Sequence, residues 1–445
     1  MQGETIAAIA TPPGEGALAV IRISGEIALD VADAIFLGKV IPSETERQVL
    51  FGRIINFKTD VLDEVLLTVF HNPRSYTGED LVEISGHGGP VVASRVLAAV
   101  LAAGARMARP GEFTERAFHN GKLDLTQAEA VMDLIHAQTD RAAKAAAGQL
   151  EGRLGLEIHT LRTQLLETVA HLEAFIDFPE EGIDPESGEV LRKRMESVGA
   201  HLDRLLATAN EGRLLREGIT LALCGAPNVG KSSLLNRLLG VERAIVSEIA
   251  GTTRDTIEER ASLGGYPFRV IDTAGLRETE DPVEREGVAR ARRAAEEADL
   301  RIHLIDAAEQ NNPPAPLFAD ELLVINKVDL VANRDALPNG IQISCRTGEG
   351  VEPLVQAILA KATGRSSPLG ESAPDLTAIN TRHRDCLRKA QGHLAAAIAL
   401  LESGEPPELV AVELRSALGD VGEIVGEAGT EEILGKIFSS FCIGK

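Results

Sequence analysis

Apolar positions along the chain change their period several times. Up to about residue 118 they fall in short continuous or alternating runs broken by Gly and Pro, which predicts strands joined by turns. TIAAIAT and ALAVIRIS flank PPGEG as a strand–turn–strand unit. VLLTVF and LVEIS read as further strands, and Val91–Ala103 as a helix, so this part is α+β. From about Leu125 to Arg213 the period is helical. Thr126 with Glu129 three residues on has the form of a capping box opening an Ala-rich amphipathic helix. FPEEGIDPESG (Phe178–Gly188) separates it from the next helix. Strand and helix patterns then alternate from Ile219 to about Ala362, GRSSPLGESAP (Gly364–Pro374) reads as a linker, and the chain ends helical to Phe441.

The predicted fold is therefore multidomain. An α+β N-terminal domain (1–118) is followed by the first half of an all-α domain (119–215). An α/β domain (216–370) is inserted before the second helical half (371–445). Insertion follows from the two helical flanks, whose amphipathic faces neither could bury alone. Two separate helical domains are the alternative.

Composition narrows the classes. No apolar run approaches the roughly 20 residues that span a bilayer, and the N-terminus lacks the pattern of a secretory signal. Four cysteines (Cys224, Cys345, Cys386, Cys442) stand far apart without CxxC spacing, against structural zinc or a disulfide framework and for a reducing, cytoplasmic setting. With 67 acidic and 45 basic residues the formal charge is −22, whereas a chain holding RNA by charge alone would be basic. A nucleic-acid partner must meet a local basic patch or be brought in by another protein.

The chemistry is concentrated in the α/β segment. Gly225-Ala-Pro-Asn-Val-Gly-Lys231-Ser232 fits GxxxxGK[ST] between the strand ITLALC and the helix SLLNRLLG. Glycines let backbone N–H groups wrap phosphates, Lys231 reaches the β/γ-phosphates, and the Ser232 hydroxyl suits Mg²⁺. Asp272-Thr273-Ala274-Gly275 follows the strand FRVI and fits DxxG. Asn326-Lys327-Val-Asp329 follows ELLVI and fits NKxD, in which the Asp329 carboxylate accepts two guanine donors that adenine lacks. Ser344, Cys345 and Arg346 follow IQIS, where a backbone N–H closes over the base. The nucleotide is GTP. Gly251-Thr252-Thr253-Arg-Asp lies where the first switch belongs, with Thr253 a second candidate Mg²⁺ ligand. The position after DxxG is Leu276, which cannot orient water as a Gln would. Another group must do so, and Glu278, Glu280, Asp281 and Glu284 are the nearby carboxylates.

ATPPGEGALAVIRISG, SGHGGP, RPGEFTERAFHNGKLDLTQAEA and the terminal FCIGK, beside GTTRD, DTAGLRE and NKVD, resemble the tRNA-modification GTPase MnmE (TrmE) family over all three regions. The resemblance implies a cytoplasmic homodimer built by N-terminal domains that bind a one-carbon tetrahydrofolate, as the 5-formyl or methylene form. It implies a partnership with the FAD protein MnmG, and tRNA as substrate. The reaction would install an aminomethyl or carboxymethylaminomethyl group at C5 of the wobble uridine (position 34). It implies a K⁺ site from Asn228, Ser247, Ile249 and Thr252, with Glu248, Ala250 and Gly251 beside the nucleotide. Val229, Gly230 and Ser233 join the phosphate loop. Glu284 would be the catalytic glutamate, Cys442 a functional thiol, and Arg22, Glu83, Lys122 and Lys445 the folate contacts. A GTP-dependent assembly switch of the ribosome-biogenesis type is the alternative; it would need neither a folate-like domain nor CIGK.

Overall fold

A computed structural model describes residues 3–45, 48–177, 188–241, 258–272, 296–308, 320–364, 378–427 and 431–445. Contacts divide the chain into two compact units. One comprises Met1–Met132, Gly155–Arg162 and Leu418–Lys445, the other Asp133–Leu154 and Thr163–Ala417.

The first unit is organised by a seven-stranded sheet of β1 (Ile6–Ile9), β2 (Leu18–Ser24), β3 (Phe36–Gly38), β4 (Val49–Ile55), β5 (Val61–Phe70), β6 (Leu81–His87) and β7 (Arg106–Met107), in the order β3-β4-β5-β6-β2-β1-β7. The strands pair antiparallel except β1 with β7. Period-two alternation sends Ile21, Ile23, Val65, Leu67 and Ile84 to one face, where α1 (Ala28–Ile35) and α2 (Pro90–Ala102) cover them. On the other face Arg22 lies directly across from Glu83, and Phe51 across from Leu66. Phe51 and Leu66 remain 69% and 48% exposed, an uncovered apolar strip. α3 (Glu112–His119) follows the sheet.

α4 (Leu125–His136) corrects the expected capping box. The reciprocal pair lies two residues earlier: Asp124 Oδ1 accepts from the Gln127 N–H (2.9 Å), and Gln127 Oε1 accepts from the Asp124 N–H (3.0 Å). Thr126 and Glu129 are buried within the helix, and the Thr126 hydroxyl donates to Asp124 Oδ1. A carboxylate at the N-cap does the work that the Thr–Glu spacing suggested.

The remaining helices before the second sheet are α5 (Asp140–Leu150), α6 (Arg153–Asp177), α7 (Gly188–Ala207) and α8 (Ala209–Glu217). The boundary expected at 216 falls inside α8. That sheet contains β8 (Ile219–Cys224), β9 (Glu258–Leu263), β10 (Tyr266–Asp272), β11 (Leu300–Asp306), β12 (Glu321–Asn326) and β13 (Ile341–Gln342), ordered β13-β12-β11-β8-β10-β9. All pairs are parallel except β9 with β10. Such strands are covered on both faces, which explains continuous runs like ITLALC. α9 (Lys231–Val241) contributes Leu234 and Leu238 to this core, and α10 (Val351–Thr363) contributes Leu354 and Ile358. Ala142 of α5 and Leu214 and Leu215 of α8 belong to the same core. IQIS is a strand only over its first two residues, because Ser344 turns away and its N–H donates to Glu349 O. The chain closes with α11 (Thr381–Glu402), α12 (Pro407–Val425) and α13 (Glu431–Ser439). Among the described residues no helix is long and apolar enough to cross a membrane.

Candidate functional site

The loop between β8 and α9 is shaped by positions that only certain residues adopt. Gly225 has φ 140°, Gly230 φ 106° and Asn228 φ 65°. A Cβ on Gly225 would lie 2.2 Å from Leu304 O, and one on Gly230 2.2 Å from Asn326 Nδ2. Both glycines therefore answer to backbone angle and to close neighbours. Lys231 opens α9 and is buried, its Nζ donating to Gly225 O (2.7 Å) and Ala226 O (2.9 Å). Ser232 and Ser233 occupy the same first turn, where the helix dipole and loop amides favour an anion.

Three further loops are tied to this one. Asn326, at the end of β12, donates from Nδ2 to Val229 O (2.8 Å) and accepts at Oδ1 from the Cys345 N–H (3.0 Å). Lys327 takes a left-handed turn (φ 65°), and its Nζ donates to Asn228 O (2.9 Å) and Asp306 Oδ2 (2.5 Å). Asp329 Oδ1 accepts from the Ser344 hydroxyl (2.6 Å), and Oδ2 pairs with Arg346 (2.5 Å). The Ser344 hydrogen bond is the main cause holding the Asp329 carboxyl below its ordinary range, with the Arg346 charge adding to it. Arg237 of α9 donates to Cys345 O and Arg346 O, both at 2.8 Å. The Cys345 backbone is engaged on both sides, its N–H by Asn326 and its carbonyl by Arg237, and burial pushes its thiol up.

The structure thus joins Gly225, Asn228, Val229, Gly230, Lys231, Asn326, Lys327, Asp329, Ser344, Cys345 and Arg346 in one hydrogen-bonded constellation. Asp272 ends β10 in register with Leu223 of the loop's own strand. Ser247, Glu248, Ile249, Ala250, Gly251, Thr252, Thr253, Thr273, Ala274, Gly275 and Glu284 lie outside the described residues. Two supporting residues escaped the sequence reading. Asp306 stands at the C-terminal end of a parallel strand, as Asp272 and Asn326 do, and that position could have marked it. Arg237 has no such signal in SLLNRLLG.

A second polar cluster belongs to the first unit. Arg22 donates from Nε (2.9 Å) and Nη2 (2.7 Å) to Glu83 Oε1, and from Nη1 to Gly444 O (3.4 Å). Its guanidinium lies 5.3 Å from the Tyr76 ring centre and 5.7 Å from that of Phe113. Burial, then the Arg22 charge, pushes the Lys445 ammonium down, against the opposing pull of Glu83 and Cys442. Arg22, Glu83, Lys445 and Cys442 are therefore one electrostatic neighbourhood, with the Cys442 residue itself exposed. Lys122 is engaged differently, its Nζ donating to Pro73 O (3.0 Å) on the loop that carries Tyr76.

A lysine-bearing phosphate loop between a buried strand and a helix, hydrogen-bonded to an NKVD loop, defines a GTP-binding P-loop GTPase. Comparisons with known proteins are specific beyond that class. The family described as "MnmE helical domain" matches residues 125–442, and "GTP-binding protein TrmE N-terminus" matches 5–122. The tRNA modification GTPase MnmE of Akkermansia muciniphila is 49% identical over 450 residues, covering 99% of both chains. Those of Symbiobacterium thermophilum and Moorella thermoacetica are 46% and 45% identical, covering 100% of both. The chain belongs to the MnmE family of tRNA modification GTPases, and it hydrolyses GTP as part of tRNA modification.

Proposed function

We propose that this GTPase, stimulated by K⁺ and acting with MnmG, modifies C5 of the wobble uridine (position 34) of certain tRNAs in the cytoplasm. The observation that carries the reading is the Arg22–Glu83–Lys445 cluster beside Cys442. Arg22 is paired with Glu83 and hydrogen-bonded to Gly444 O there. The half-buried Lys445, next in the chain, is disfavoured as an ammonium by burial and by the Arg22 charge, so an anionic group such as a folate carboxylate would favour it. Tyr76, partly exposed beside Arg22, offers a flat apolar partner for a conjugated ring, while Phe113 is fully buried and backs the guanidinium. The bound 5-formyl- or methylene-tetrahydrofolate would supply the one-carbon unit. Arg22 and Lys445 would hold it, while Cys442 offers an exposed thiol at the same place.

In the nucleotide site Asp329, already fixed as a carboxylate by Ser344, would accept the guanine N1–H and amino donors. Ser232 with Thr253 would hold Mg²⁺. Asn228 with Ser247, Ile249 and Thr252 would hold K⁺, and Glu284 would orient the attacking water in place of Leu276. The exposed Phe51–Leu66 strip supports a homodimer through the N-terminal sheet, which we take as a domain of residues 1–118. The nucleotide domain of 216–370 would then sit between helical halves 119–215 and 371–445.

Nucleoside analysis of tRNA from cells lacking the protein tests this reading, complemented by wild type or by Cys442→Ser. The serine variant is expected to keep GTP turnover and lose the modified uridine. Unmodified levels that do not change on deletion would leave the assembly-switch alternative standing.

A further inference from the structure

RPGEFTER (residues 109–116) contains a carboxylate that neither cluster uses. The Glu112 side chain is only 3% exposed yet faces three arginines. Its Oε1 accepts from Arg106 Nη2 (2.6 Å) and Arg116 Nη2 (3.2 Å); its Oε2 accepts from Arg106 Nη1 (2.9 Å) and the Arg109 N–H (2.8 Å). Arg116 continues to Glu79 (3.0 Å), whose Oε2 accepts from the Ser24 hydroxyl (2.8 Å) at the end of β2. The first turn of α3 is thereby bolted to β7 and β2.

That turn holds the end of the chain. The residues on either side of Glu112 donate to it: Gly111 N–H to Cys442 O (3.4 Å) and Phe113 N–H to Lys445 O (3.2 Å). The fit is tight on both sides of the tail. A Cβ on Gly111 would lie 2.5 Å from Phe438 O, and one on Gly444 2.5 Å from Ile9 O. Between the anchored Cys442 and Lys445 lies Gly444, whose carbonyl accepts from Arg22 Nη1.

We propose that Glu112, gripped by Arg106 and Arg116, is the positioning residue that docks the C-terminal tail and so places Cys442 and Lys445 beside Arg22. It acts through the backbone of its neighbours and touches no reacting group. The inference rests on the role given above to Cys442 and Lys445, but its test separates the two. Glu112→Gln keeps the shape and removes the charge that holds two guanidinium forks. Arg106→Lys is a milder variant, losing only the bidentate geometry.

Hydrogen exchange in full-length protein, followed in peptides covering 110–114 and 441–445, should accelerate on the order of tenfold in Glu112→Gln and less in Arg106→Lys. The nucleotide-site peptides and GTP turnover should be unchanged. Affinity for 5-formyl-tetrahydrofolate should fall in the same order. In a cycle with Lys445→Ala the two losses should not add, because both act through the tail. Unchanged exchange in both variants overturns the proposal, as does full additivity with Lys445→Ala. If Glu112→Gln does not fold, Arg106→Lys decides alone by the same readouts. Faster tail exchange with wild-type folate affinity and wild-type wobble uridine would instead overturn the role given to the tail, and leave the clamp standing.

Discussion

Asn326 joins two loops through one amide: it donates to Val229 O at 2.8 Å and accepts from the Cys345 N–H at 3.0 Å. The first residue of NKVD therefore spends its side chain on the protein, fixing the phosphate loop and the base-closing loop relative to each other, and leaves base reading to Asp329. Asn326→Ala would strand a buried acceptor and a buried donor. GDP and GTP affinity, measured by calorimetry, should both fall roughly tenfold to a hundredfold, the range of about 1–3 kcal/mol for unsatisfied groups. Unchanged affinity would show that the loops are held by something else.

Asp329→Asn should move preference from GTP towards XTP. The amide removes an acceptor for two guanine donors and offers a donor to the xanthine carbonyl. The remaining amide oxygen can keep the hydrogen bond from the Ser344 hydroxyl, while the ion pair with the largely exposed Arg346 is lost, so Ser344 alone holds the orientation. A variant that keeps the original GTP-to-XTP affinity ratio would refute the assignment.

GTP turnover should depend on the monovalent cation, rising with K⁺, Rb⁺ or NH₄⁺ and remaining low in Na⁺, which is too small for the proposed cage. Under the K⁺ condition Glu284→Ala should lower kcat by on the order of 10²–10⁴ with GTP affinity nearly unchanged. Equal rates in Na⁺ and K⁺ would exclude the cation site, and normal turnover in the variant would exclude the glutamate.

Stability should carry an acid-sensitive contribution from Glu112. Burial alone would raise its carboxyl, but hydrogen bonds from Arg106 and the Arg109 N–H and the charges of Arg106 and Arg116 outweigh it, moving the group from 4.5 to about 2. A lowered folded-state value means stability present above the ordinary carboxylate range and lost as pH falls from 4.5 towards 2. The linkage amounts to about 3 kcal/mol at neutral pH. Urea unfolding of wild type and Glu112→Gln should therefore differ most near neutrality, with the gap narrowing from about pH 5 to about pH 3. A gap constant over that interval would contradict the assigned ionisation.

The nucleotide site was legible because its constraints are local. Gly225 and Gly230 are needed by their own dihedral angles, and Asp272 and Asn326 end apolar strands whose pattern survives any packing. The Arg22 cluster was reached only through resemblance, since its members are separated by 61 residues (Arg22–Glu83) and 422 residues (Arg22–Gly444) and alternate with apolar neighbours as any strand residue would. Glu112 could not be read at all. In RPGEFTER it looks like a solvated charge, and only the fold reveals three arginines closing over it. β3 and β7 were missed because they have three and two residues and exist by pairing rather than by propensity. The capping box was misplaced by two residues because Asp124-x-x-Gln127 satisfies the same geometry as Thr126-x-x-Glu129.

Leu214 and Leu215, buried in the core beneath the nucleotide-binding sheet, bear on how that part of the protein could be cut free. A truncated fragment beginning at Ile219 would discard both leucines and Ala142. The newly wetted surface would cost about 1.5–3 kcal/mol for each leucine-sized contact and favour self-association of the fragment. The Tyr266 hydroxyl would also lose its acceptor, Glu211 Oε1 at 3.0 Å, and its ring would lose the Arg141 guanidinium 4.4 Å above it. The smallest portion that carries its own wall and its own polar partners therefore begins with α5 rather than with the first strand of the sheet.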